Sequence, residues 1–295
     1  MGQMGQMATI RLIVTGDLEE LALHESLRQV FGDARRDGEA VIWDPPRKLH
    51  SATSRRLSMS ERPSRPMQAL VKAMLSEVKS GKQGTPADLV IVVDDVELGN
   101  VDREAVLVKH FQGALEAVLA EHALQARERY QQLLRERCSF HMLRPMVESY
   151  FFGDGDTLRS MGVQSTPRIR HTDVECFETT DTDPGWIEEC QRDNQRQQHQ
   201  HPGWRRECHP KHYLEHLLQR ERIFYDEKLH GEPALKRLAW KQVPKARADC
   251  AIARCLFEDV ADWFGVPNPL GAGDLQQCLY PARSVDRSKL LLRNL

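Results

Sequence analysis

Leu89-Val-Ile-Val-Val93 is an unbroken apolar run, mostly β-branched, walled by Asp88 on one side and by Asp94 and Asp95 on the other. A strand that is hydrophobic on both faces must be covered on both, which is the place of a central strand in a parallel sheet with helices above and below. Ile10 to Val14 reads as a second buried strand, ending at Thr15-Gly16-Asp17, a turn signal that also supplies a helix N-cap. Leu23, Leu27, Val30 and Phe31 then recur at helical spacing behind the first-turn acids Glu19 and Glu20, and Gly32 fits the helix end. Val41-Ile42-Trp43 reads as a strand stopped by Pro45-Pro46.

Met67 to Lys79 has the pattern of a helix, and Ser80 to Pro86 is a polar break. From Asp102 an amphipathic helix carries Phe111, Leu115, Val118 and Leu119, continues through Tyr130, Leu133 and Leu134 with room for a break, and leads to a fourth, weaker strand at Ser139 to Leu143. The alternation predicts an α/β fold, a parallel sheet flanked by helices, over residues 7–150, with ligands at the carboxyl ends of its strands. Residues 151–295 form a second, mostly helical region. It contains a polar, Cys- and His-rich insertion at about 176–210, and helical signals return at His212. Its last helix is expected over Lys245 to Phe264, striped by Ala248, Ile252, Leu256, Val260 and Phe264 and ended by Pro267-Asn-Pro269. Residues 270–295 read as a strapping tail whose end, Lys289 to Leu295, is apolar enough to pack against a partner.

Composition removes several classes of function. A net charge of -2 over 295 residues excludes a general polycation, so nucleic-acid binding must be local. The seven cysteines show neither a disulfide framework nor a zinc-ribbon spacing, which makes a reducing cytoplasm the expected compartment. The longest apolar strip is far short of the roughly 20 residues that a membrane span needs. Residues 1–6 carry neither a signal-peptide pattern nor a myristoylation signal, and are set aside from the fold. Gly153-Asp-Gly155 and Gly271-Ala-Gly273 lack the strand and helix that phosphate-binding loops require, so ATP hydrolysis by this chain is not expected.

Chemistry concentrates at the end of the central strand. Asp94 and Asp95, with Glu97 two residues on, stand where carboxylates can hold Mg2+ or Mn2+ against a phosphate, although acids also end strands as plain turn formers. Between Pro45 and Pro66 six Arg or Lys face the single acid Glu61, and Arg55, Arg56, Arg62 and Arg65 suit phosphate oxygens; a solvated loop is the plainer reading. Lys211, beyond Trp204-Arg-Arg206, is a further candidate nucleic-acid contact. Cys190, Cys208, His209 and His212, with Cys176, His199, His201 and His216 around them, are dense enough to hold zinc but match no standard motif, and a flexible polar insertion explains them as well.

Ile10-Arg-Leu-Ile-Val-Thr-Gly-Asp-Leu-Glu-Glu20, then Leu89 to Asp95, then Met146-Val-Glu-Ser-Tyr-Phe151 resemble the bacterial TOPRIM-like family related to the nuclease half of the overcoming-lysogenization-defect (OLD) proteins. His209-Pro-Lys-His-Tyr-Leu-Glu215, Tyr225-Asp-Glu-Lys-Leu-His-Gly231 and Phe257-Glu-Asp-Val-Ala-Asp-Trp263 are similar to its later blocks. The resemblance spans nearly the whole chain, through short motifs whose order carries the match. It implies a TOPRIM fold, a divalent metal, a DNA or RNA phosphodiester substrate, and pairing with an ABC- or AAA-type ATPase encoded nearby in antiphage defence, with oligomers formed through that partner. It further implies that Glu19, Asp94 and Glu148 are site acids, with Asp95 and Glu97 as displaced substitutes for the second aspartate of its pair, so that Glu19, Asp94, Asp95 and Glu148 are the expected catalytic residues and Glu19, Asp94, Asp95 and Glu97 the expected metal ligands. Two departures stand out. The family's first motif places a glutamate where this chain has Thr15, and the second member of its aspartate pair falls on Val96. The expectation is therefore a metal-dependent nuclease subunit, with a catalytically silent regulatory, sensor or trigger subunit as the alternative.

Overall fold

The structure is a computed structural model, and it describes residues 7–79, 84–197, 204–273, 288 and 290–295. Residues 1–6, part of the polar break after Lys79, His199 and His201 lie outside the described residues. Four strands, β1 (Thr9–Val14), β2 (Ile42–Lys48), β3 (Leu89–Asp95) and β4 (Cys138–Leu143), form one all-parallel sheet in the order β2-β1-β3-β4. The chain leaves β1 towards one edge and β3 towards the other. The carboxyl ends of β1 and β3 therefore flank the point where the strand order reverses, the place at which such sheets open a crevice.

Side chains alternate across the sheet as the pleat requires. Ile10, Leu12 and Val14 of β1, and Leu89, Ile91 and Val93 of β3, enter one core; Ile13, Val90 and Val92 enter the other. The second face is covered by α2 (Arg65–Lys79), α3 (Glu104–Ala120) and α4 (Leu124–Arg137). On the first face lie α1 (His24–Val30) and most of the C-terminal half, including α5 (Gly155–Met161), α6 (Pro184–Gln197), α7 (Pro210–Arg220), α8 (Glu232–Arg237) and α9 (Ala251–Phe264). Most of the chain beyond 150 thus forms one wall of the sheet's own core, with Phe257 and Phe264 stacked near Phe31 at ring separations of 6.0 and 5.7 Å.

Several sequence expectations are corrected. β2 does not stop at Pro45-Pro46 but runs to Lys48, because it is an edge strand and a register shift opposite Arg11 to Ile13 accommodates residues that cannot donate to the ladder. The last helix begins at Ala251, not Lys245: Asp249 accepts from the backbone N–H of Lys245 and Ala246, closing a turn before Cys250, whose φ of 56° is not helical. Ala248 is consequently exposed and off the apolar stripe. Asp17 does not cap the first helix; its carboxylate pairs with Lys48, and a π-helical turn, Glu19–Leu23, leads directly into α1. Within the polar insertion, Pro184–Gln197 is α6, anchored by the buried Trp186, whose indole N–H donates to Thr179 at 2.9 Å. The C-terminal end packs on its own chain, with Leu292 and Leu295 in the second core and the Asn294 side chain bonding both backbone groups of Phe140 on the β4 edge.

Candidate metal and phosphate site at the strand switch point

The register of the sheet assembles the site. Val14 lies beside Val93, so Thr15 follows β1 level with Asp94 near the end of β3, and Asp94 and Asp95 lie beside Met142 and Leu143 of β4. Glu19 is carried back over the strand ends by the π-helical turn. It rests on Gly16 so closely that a Cβ there would meet its Oε2 at 2.0 Å, so a side chain at this position would displace the Glu19 carboxyl group. Glu148 enters from the 3-10 turn Val147–Gly153 after β4. Glu97 follows β3 with a φ of 62°, costly for a side-chain-bearing residue and therefore a mark of a constrained site.

The two aspartates have different surroundings. Asp94 is fully buried, and its carboxylate is satisfied: Thr15 Oγ1 and Thr53 Oγ1 donate to Oδ1, and the Ala52 backbone N–H donates to Oδ2 at 3.0 Å. Asn100 braces the same loop, accepting from Leu57 N–H and donating to the carbonyls of Thr53 and Arg55. The basic loop is thus pinned across the strand end by Asp94 and Asn100. Asp95, in contrast, keeps a buried Oδ1 with no hydrogen-bond partner, and its carboxyl is in hydrogen-bonding reach of Glu19.

Electrostatically the acids of the cluster outweigh the one cation recorded against them among the described residues, Lys211. Burial, then repulsion from Glu148, raises Glu19 to about 8. Burial and then Glu19, Glu97 and Glu148 push Asp95 well above the usual carboxylate range. Burial and Asp94 raise Glu97 to about 7, and burial raises Glu148 to about 7 against the pull of Lys211. Lys211 lies 4.0 Å from Glu148 and pairs with Glu227; burial works against its ammonium, and the two glutamates more than offset it, so its pKa is raised. The Tyr225 hydroxyl is buried with no partner, and burial followed by Glu148 and Glu227 raises its pKa.

The structure brings Glu19, Asp94, Asp95, Glu97, Glu148 and Lys211 to one end of the sheet. The other candidates lie elsewhere. Arg55 pairs with Glu61 at 2.8 Å, Arg62 and Arg65 are exposed, and Arg56 lines a neighbouring cleft. Cys190 is buried on α6 and Cys208 lines that cleft, while the rings of His209 and His212 stack at 3.7 Å and His209 Nδ1 accepts from the His212 N–H as the cap of α7. Sequence reasoning did not single out Tyr225 and Glu227 as site residues, though both lie in a quoted block; nor did it find Ala52, Thr53 and Asn100, whose roles are backbone braces without a motif. Among the described residues, no three His, Cys, Asp or Glu side chains close on one point as an ion would need, and the argument for a cation is the donor set: hard carboxylate oxygens, one buried and unpartnered.

What the fold and the site define is an all-parallel α/β protein with a carboxylate cluster at the switch point of its sheet. No protein family, curated protein or solved structure matches the chain. No helix among the described residues is long and apolar enough to cross a membrane.

Proposed function

We propose that this chain is a TOPRIM-like, OLD-related nuclease subunit of an antiphage defence system, hydrolysing DNA or RNA phosphodiesters with Mg2+ or Mn2+ in the cytoplasm alongside an ABC- or AAA-type ATPase. The observation that carries the reading is the convergence of the buried Glu19 and Glu148 with the partly buried Asp95 and Glu97 at the strand switch point, all with raised pKa values. Asp95, with its unpartnered Oδ1, is the residue that would hold the cation first, and Glu19 and Glu97 beside it would have to close on the ion to complete its ligands, with Asp94 bracing the strand end behind them. When bound, the ion would neutralise phosphate charge and lower the pKa of water. Glu148, with a pKa of about 7, is suited to take a proton at neutral pH, and Lys211 beside it to hold a phosphate oxygen.

A specific observation favours the second reading, a catalytically silent regulatory subunit held by the ATPase. Thr15 occupies the place of the family's first glutamate, and its hydroxyl is spent on Asp94, so two would-be ligands are tied to one another. One experiment separates the readings. Purified protein, alone and with the neighbouring ATPase, is incubated with plasmid DNA and total tRNA in Mg2+ or Mn2+, alongside Glu148→Gln and Asp95→Asn. Cleavage lost in both variants is the expected result. Folded protein that leaves both substrates intact in every condition overturns the nuclease reading in favour of the silent one, and cleavage gained by Thr15→Glu would identify that state as a lapsed site.

A further inference from the structure

A cleft of about 620 Å³ is lined by Leu98 and Pro145, close along the chain to the carboxylates. It is built where the loop after β3, the loop after β4 and the C-terminal half meet, one residue from Glu97 and three from Glu148. Its volume falls within the range of roughly 300–1,000 Å³ typical of small-molecule sites. Arg56, Arg103, Arg144 and Arg205 line it, against the acids Asp102, Glu175 and Glu178.

The acids offset the arginines only in part. Both oxygens of Glu175 are turned to the protein, taking the Tyr150 hydroxyl and the Ala253 N–H on Oε1 and the Ile252 N–H on Oε2. Glu178 is shared between Arg205 at 2.7 Å and Arg170 at 2.9 Å. Asp102 pairs with Arg144, but its side chain is 80% exposed, so the pair is weak and open to exchange; Arg144 would keep Glu104 at 3.2 Å. Arg103 donates to the Leu57 carbonyl, and its Nε is buried without a hydrogen-bond partner. The guanidinium groups of the lining, together with Leu98, Val101 and Phe177, suit a ligand that carries both a phosphate and a flat apolar ring.

We propose that this cleft binds a nucleotide unit of the substrate strand, next to the phosphodiester presented to the carboxylates. The words "substrate strand" rest on the nuclease reading, whereas the nucleotide chemistry of the cleft does not. A polynucleotide and a free nucleotide share that chemistry, and the test separates them.

The probe is a 5′-fluorescein-labelled oligothymidylate, its binding followed by fluorescence anisotropy in EDTA so that no metal or turnover enters. Arg205→Glu is the main variant, since the Arg205 side chain is 53% exposed and the change should leave folding intact, with thermal melting as the check. Arg103→Gln is the second. The expected result is a loss of affinity of about tenfold or more in each, with a shallower salt dependence, and no displacement of the oligonucleotide by millimolar ATP or AMP. Unchanged affinity in folded variants overturns the proposal, as does an absence of oligonucleotide binding to the wild type. Displacement by ATP or AMP overturns the strand assignment and makes the cleft a free-nucleotide site. Failure here is distinct from failure of the nuclease reading: normal cleavage with unaltered KM in Arg205→Glu would sink the cleft alone, and binding lost in Arg205→Glu of a protein that cleaves nothing would sink the nuclease alone.

Discussion

Buried carboxylates occur in two settings in this chain, and the settings are opposite. On the second face of the sheet Arg11 reaches Glu77 at 2.5 Å and also Asp44, and Arg47 adds a second cation to Glu77 at 3.0 Å. Between β4 and α9, Asp259 takes His141 at 3.0 Å and Arg293 at 2.8 Å; burial opposes its charge, and Arg293 and His141 pull it down to about 2. At the strand switch point, by contrast, Glu19, Asp95, Glu97 and Glu148 face each other, and among the described residues the cation recorded against them is Lys211. An acid buried with its counter-ion is explained by folding. Acids buried against acids work against folding, and such a cost persists where function needs the charge.

The largest expected effect comes from unpairing the compensated set. Arg11→Met takes away the cation that joins Asp44 to Glu77, and should cost about 3–5 kcal/mol in urea unfolding at neutral pH. A loss well under about 1 kcal/mol would mean that this network is not the structural counterpart assumed here. The reverse is expected at the switch point. Glu19→Gln or Glu148→Gln should raise stability by about 1–2 kcal/mol at mildly alkaline pH while removing divalent-dependent activity. Destabilisation by either change would place these acids among the structural ones.

The pH dependence sharpens the same contrast. The folded-state values of about 8 for Glu19 and about 7 for Glu97 and Glu148 lie above the ordinary 4.5, so the folded protein holds these protons more tightly. The stability they contribute is complete below about 4.5 and is lost as the pH rises through about 7 to 8. Asp259, lowered from 3.8 to about 2, behaves in the opposite sense, contributing above 3.8 and failing as the pH falls towards 2. In EDTA, Tm should therefore decline from mildly acidic to mildly alkaline pH. Glu19→Gln should flatten that decline, and a slope unchanged in the variant would assign it to other groups. The smallest stability effect is expected from Gly16→Ala, within about 1 kcal/mol, because the flexible end of Glu19 can move away from the new methyl group. Activity should nonetheless fall by more than about tenfold, and full retention would remove Glu19 from the site.

The central strand and the order of elements were legible because Leu89 to Val93 and Ile10 to Val14 declare burial on both faces, a signal that tertiary context reinforces. β2 was misjudged because prolines that would break a central strand are tolerated on an edge, and edge position is a property of the sheet rather than of the segment. The start of α9 was missed because an Asp249 side chain competing for backbone N–H groups leaves no periodic trace. At the site, Glu19, Asp95, Glu97 and Glu148 were named from sequence, but the difference in surroundings between Asp94 and Asp95 was not. It depends on which carboxylate Thr15, Ala52 and Thr53 satisfy, and their meeting is set by strand register across 79 and about 40 residues of chain.

The most direct test of the carboxylate cluster is calorimetric titration of the metal-free protein with Mn2+ near pH 7.5, in two buffers of different ionisation enthalpy, beside Glu19→Gln and Asp95→Asn. The expected result is saturable binding with proton release, visible as a buffer-dependent heat and lost in both variants. Folded wild-type protein that takes up no Mn2+, or binds it equally well after both substitutions, would contradict the reading of these carboxylates as a cation site.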